Sequence, residues 1–240
     1  MKKVVILLII AILLGGVGVL WWMLQGTAEP KELTREAYTL QEEGALEGQL
    51  DFAALQEVNP DIYAWIHIPG TGIDAPVVQH PEDNGYYLTH GPRREENSYD
   101  AIFTENYNDK KFEDYITGIY GNSSEEGVAF YDLYRYTDKK FMEENPYLYI
   151  YLPDCVLEYR IFAAYVGDNS HVVLNYEKGA DEMAREVYLD SIMEPRSMDA
   201  IIDRNTSVDY NSKVLTLTTN HKLGNNFRFL VQAYLEQIKK

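Results

Sequence analysis

Near the C-terminus, hydroxyls, an amide, an imidazole and a guanidinium crowd together as Thr218, Thr219, Asn220, His221 and, a few residues on, Arg228. A guanidinium presents a planar fork of donors suited to a carbonyl or a developing oxyanion. His221 is the one member of the group whose charge changes near neutral pH, so it is the nearest candidate for acid or base work. A Thr hydroxyl without a base beside it is a poor nucleophile, and an Asn amide neither attacks nor titrates. The apolar and β-branched runs Val214–Thr219 and Phe227–Leu235 flank a polar, Gly-containing segment and predict two strands joined by a loop. Asn220 then ends the first strand and Arg228 opens the second. Adjacent side chains of a strand point to opposite faces, so a cleft faced by Asn220 would have His221 turned away from it, unless the loop breaks the alternation.

Other chemistry is sparse. His67, His80, His90, His171 and His221 show no i, i+4 pair and no Cys partner, so no zinc site and no cofactor is expected. Cys155 is the only cysteine, which excludes an intramolecular disulfide. It follows the turn signal Pro153-Asp154 and starts an apolar run, as a small buried hydrophobe does. The loop Gly121–Gly127 lacks the Lys of a phosphate cradle.

The run Leu215-Thr-Leu-Thr-Thr219 followed by Arg228 resembles the catalytic strand-loop-strand of sortases, the cysteine transpeptidases of Gram-positive cell surfaces. The residue at the family's nucleophilic Cys is here Asn220. Asn59 to Gln79, Tyr86 to His90 and Ala101 to Phe103 resemble segments of class B sortases in the same order. Ile119-Tyr-Gly-Asn-Ser123 falls where the family carries its catalytic His, and Asn122 occupies that position. Phe141 to Pro146 and Tyr159 to Tyr165 continue the likeness. The resemblance implies a mainly β fold, a closed β-barrel with N-terminal helices and one inserted helix. It also implies a triad of which Arg228 alone remains, with Thr218, Thr219 and His221 beside a substrate groove.

The elements read from periodicity agree with that fold. Leu33 to Val58 carries helical spacing broken by Gly44 and Gly48, which predicts two short helices. From Ile62 onward, short runs of Ile, Val, Tyr and Phe alternate with Gly, Pro, Asn and Asp clusters, the pattern of a barrel or sandwich. Gly179 to Met193 has Met183 and Val187 at i, i+4 spacing and reads as a helix inserted between strands.

Before the domain, Lys2 and Lys3 precede Val4 to Leu24, an uncharged apolar run of bilayer-spanning length, about 20 residues, closed by Trp21 and Trp22. The expectation is a cytoplasmic stub at 1–3, a single transmembrane anchor at 4–24, a linker at 25–32 and an extracellular domain at 33–240. The formal net charge of −17 argues against nucleic acid or anionic lipid as a partner of that domain. Thioester chemistry needs a thiolate and a proton-relaying imidazole, and Asn supplies neither. The function expected is a surface pseudo-sortase. It would bind a sorting-signal-like peptide or surface protein, or assist an active sortase in anchoring or pilus assembly. The alternative is a transpeptidase or peptidase working through His221, a Thr hydroxyl or Cys155.

Overall fold

The computed structural model describes residues 31–41, 48–124, 127–169, 181–195, 197–222, 224 and 226–240. The expected anchor and most of the linker lie outside them. No helix among the described residues is long and apolar enough to cross a membrane. Residues 34–240 form one compact unit and residues 1–33 another, of which only 31–33 are described.

Among the described residues nine strands make one sheet: β1 Ile62–His67, β2 Asp74–Val78, β3 Ile102–Thr104, β4 Ile116–Gly121, β5 Tyr147–Tyr151, β6 Val156–Asp168, β7 Ile201–Ile202, β8 Val214–Asn220 and β9 Phe227–Lys239. Their order is β5-β1-β2-β3-β4-β8-β9-β6-β7, and β6 also pairs with β5. That extra pairing closes eight strands into a barrel and leaves β7 attached outside the ring. Mainly β structure and closure are as the sequence reading expected.

Alternation along the strands divides the side chains. Leu215 and Leu217 of β8 and Phe229, Val231 and Ala233 of β9 point inward to a core shared with Ile66, Ile119, Leu148 and Ile161. Val214 on β8, with Leu230 and Tyr234 on β9, points outward and is covered by Tyr188 and Ile192 of a helix over Glu182–Met193. Each fully buried aliphatic or aromatic side chain contributes about 2 kcal/mol, so closure from both faces is strongly favoured. The covering helix is capped by the Asp181 carboxylate, which accepts from the Ala184 N–H at 3.0 Å. At its centre the Tyr188 hydroxyl meets Thr216 Oγ1 at 3.0 Å, and Thr216 in turn donates to Gln232 at 2.8 Å, so the polar groups under the helix are satisfied.

Among the described residues two short helices precede the barrel, α1 at Arg35–Tyr38 and α2 at Phe52–Val58. Helix α3 at Lys139–Glu144 follows a 3-10 segment, Tyr131–Thr137, and the helix covering β8 is α4. Helix α1 is tied to the barrel through one carboxylate. Asp74 accepts from Arg35 Nε at 2.9 Å and from the Trp65 indole at 2.6 Å, and lies 3.2 Å from His67 Nδ1. Burial alone would raise the Asp74 pKa, but the adjacent His67 ring and the hydrogen bonds from Trp65 and Arg35 outweigh it and hold the carboxyl below its ordinary range.

Candidate active site

The site is built by register. Strands β4 and β8 run parallel with Tyr120 opposite Thr218, so Asn122 and Asn220, each two residues further on, leave the barrel side by side. On its other flank β8 is antiparallel to β9, and Asn220 faces Arg228 directly. A distant pair of residues and a local hairpin pair therefore converge at one strand end. The Asn220 side-chain amide donates to Asn122 Oδ1 at 3.3 Å, and the same oxygen accepts from the Ser124 N–H at 2.8 Å. Gly121, at the end of β4, leaves room for the Phe130 ring: a Cβ there would lie 2.8 Å from it.

The end of β8 is pinned through its backbone. The Tyr134 hydroxyl donates to the Asn220 carbonyl at 2.6 Å and Ser123 Oγ donates to it at 3.3 Å. The Tyr134 ring is stacked on Phe229, with centroids 4.9 Å apart, which fixes the hydroxyl's position. Arg228 donates from one terminal nitrogen to the Phe227 carbonyl at 2.9 Å.

Asn122, Asn220 and Arg228 all line a groove of about 370 Å³ on the outer face of the barrel. Thr218 lines it as well, on the outward face of β8 with Asn220. Thr219 borders it but points inward, only 2% exposed, and its hydroxyl makes no hydrogen bond among the described residues. His221 is not brought to this groove. It packs near Tyr134, with ring centroids 6.1 Å apart, and lines a different cavity. Cys155 lies in the turn between β5 and β6 and lines neither cavity. Burial and the adjacent Asp154 carboxylate push its thiol pKa up, the opposite of what a nucleophile needs.

The far wall of the groove is apolar: Tyr87, Leu88, Tyr99, Ala101 and Phe103. Leu88 is 62% exposed and Tyr99 49%, so a ligand in the groove would remove both from water. Segments 86–90 and 101–103 stood out in the sequence only by resemblance. Asn84, Tyr99 and Glu105 carried no signal at all, since loops and barrel closure bring them in. Tyr120 also lines the groove, and burial together with the Glu105 carboxylate drives its hydroxyl pKa upward, so it stays protonated. A polar strand end of amides and guanidinium therefore opposes a hydrophobic wall. That arrangement suits an extended peptide, whose backbone seeks hydrogen bonds while alternate side chains seek apolar pockets.

A strand-ending polar cluster on a closed eight-stranded barrel, with an Arg directly across the hairpin, is a sortase architecture. The comparisons define the class within it. Sortase B of Listeria monocytogenes is 30% identical over 188 residues, 78% of this chain and 72% of that protein. Sortase B of Staphylococcus aureus is 23% identical over 170 residues, 70% of this chain and 66% of that protein. Among solved structures, Clostridium perfringens sortase B superposes with a TM-score of 0.69 at 26% identity, covering 78% of this chain and 100% of that one. Sortase B of B. anthracis gives 0.70 at 26% identity, covering 86% and 93%. No family model matches the chain. The chain belongs to the class B sortase family.

Proposed function

We propose that this chain is a cell-surface, membrane-anchored sortase-like protein that binds an extended, sorting-signal-like peptide in the groove without cleaving it. The observation that carries the reading is the 3.3 Å contact between the Asn122 and Asn220 side chains, opposite Arg228. By the resemblance of their sequence motifs, these two positions are those of the family's imidazole and thiol. In their place stand two amides that can donate and accept hydrogen bonds but cannot attack a carbonyl or relay a proton. Losing one member of a triad typically costs several orders of magnitude, and losing a second adds little because the unit has already failed.

Binding needs less. Arg228 can hold a peptide carbonyl, the free N–H groups of the amide pair can take a second, and the wall of Leu88, Tyr99 and Phe103 can cover an apolar side chain. A sortase B of Staphylococcus aureus has been solved with its substrate, and that fold overlays this chain with a TM-score of 0.68 at 20% identity. The anchor at 4–24 would place the groove outside the membrane, where surface proteins to be attached, or an active sortase, are its partners.

Cleavage of quenched fluorescent sorting-signal peptides by the full chain, beside the double substitution Asn122→His with Asn220→Cys, tests this. A silent parent and a cleaving double variant are expected. Cleavage by the parent would overturn the reading, and silence of both would show that the groove no longer takes such peptides.

A further inference from the structure

Asn220 also lines a second cavity, of about 850 Å³, together with Ser123, Tyr134, Arg135, His221 and Lys222. Its described lining is net positive, Arg135 and Lys222 against Asp132, in a chain whose formal net charge is −17. In a chain with 38 carboxylates, several cations elsewhere are neutralised: Arg35, Arg94, Arg160, Lys139, Lys140 and Lys239 each pair with an Asp or Glu. Among the described residues neither Arg135 nor Lys222 has a carboxylate within ion-pair distance. Among the described residues Asp132 is the one carboxylate lining the cavity, and the Gly72 N–H already donates to it at 2.6 Å.

Arg135 is moreover held in place. One terminal nitrogen donates to the Gly70 carbonyl, and the guanidinium lies 4.4 Å over the Phe141 ring. These two contacts fix its plane, so little rotamer freedom is left to lose on binding. One N–H of the five is spent on Gly70, and the others remain to meet a ligand. A fixed planar fork, a nearby ammonium and surrounding hydroxyls form a receptor for a planar anion.

We propose that this second cavity binds a peptide carboxylate, with Arg135 as the bidentate partner and Lys222 as the supporting charge. The assignment does not depend on the groove being occupied. A peptide amine is excluded by the same two cations that attract the carboxylate. The site therefore receives a chain by its acidic end or an acidic side chain, on the opposite flank of Asn220 from Arg228.

Titration calorimetry on the full chain in a mild non-ionic detergent decides the matter with four probes. These are acetyl-triglycine with a free carboxylate, its C-terminal amide, triglycine amide with a free amine, and acetyl-Gly-Glu-Gly-amide. At least one carboxylate probe should bind about tenfold or more tighter than the acetylated amide, since charge-assisted bonds carry the difference. The tighter of the two carboxylates names the source as chain end or side chain. Arg135→Gln should lose about tenfold, Arg135→Lys should recover only part, and Lys222→Gln should lose a few-fold. Lys213→Gln removes the same charge at the other end of β8 and should change nothing. If Arg135→Gln fails to fold, Lys222→Gln and a fall in affinity with added salt carry the same decision. Equal binding of the carboxylate and the amide, no binding of either carboxylate, or preference for the free amine would overturn the proposal.

Discussion

Two polar clusters sit on this barrel and use their atoms in opposite ways. Around Asp74, hydrogen bonds from Arg35 and Trp65 and the His67 ring at 3.2 Å converge on one carboxylate. Around Asn220, the two side-chain amides share a single 3.3 Å hydrogen bond and open into the groove. The carboxylate of the first cluster is saturated, and its bonds join α1 to the barrel. The second keeps hydrogen-bonding capacity in reserve, which is what a surface awaiting a ligand requires. Polarity alone does not mark a site; uncommitted polarity beside exposed apolar surface does.

The contrast is most severely tested by restoring reactive groups to the second cluster. Asn122→His with Asn220→Cys should exceed the parent in peptide cleavage by about a thousandfold, while Asn220→Cys alone should trail the double variant by about a hundredfold for want of an acid and base. Equal rates for the single and double variants would mean that Asn122 does not stand beside the reacting atoms.

The saturated cluster should answer in stability instead. Asp74→Asn removes a charge that several donors share and should cost about 3 kcal/mol in urea unfolding, with groove binding little changed. Because the folded-state pKa of Asp74 is depressed, its contribution is present above the ordinary carboxylate range and is lost as pH falls through the lowered folded value. The Asn variant should accordingly show a flatter stability profile in acid. An unaltered acid limb would show that Asp74 is not a source of the protein's acid sensitivity.

Arg228→Gln should reverse this pattern, weakening peptide binding about tenfold with stability changed by less than about 0.5 kcal/mol. A large stability loss would move Arg228 into the saturated class. The smallest effect concerns Cys155: alkylation at pH 8 should run about tenfold slower in the folded chain than in denaturant, and the modified protein should bind peptide as before.

Much of the fold could be read from the residues because alternation and helical spacing are local. The helix expected over Gly179 to Met193 is observed at Glu182–Met193, and the strands expected at Val214–Thr219 and Phe227–Leu235 extend to Asn220 and Lys239. The site was legible only in part. Arg228 and Asn220 are close in sequence, and a hairpin pairs them. Asn122 was reachable only through resemblance, because it meets Asn220 by the parallel register of β4 and β8 across nearly a hundred residues. Glu105, Tyr99 and Asn169 reach the groove by loop paths that no periodicity encodes. His221, grouped with the groove residues by its place in the chain, lines the second cavity instead.

Barrel closure carries a further consequence, for how copies of this chain meet one another. In an open sheet the two outermost strands offer rows of unpaired backbone groups on which another chain can add. Here, among the described strands, every member of the eight-stranded ring is paired on both sides, and β7, two residues long, is the only one with a free flank. A template that short is a poor start for strand addition. Many such domains can be crowded together at high local density without joining edge to edge, and peptide recognition is left to the groove rather than to the sheet's margin.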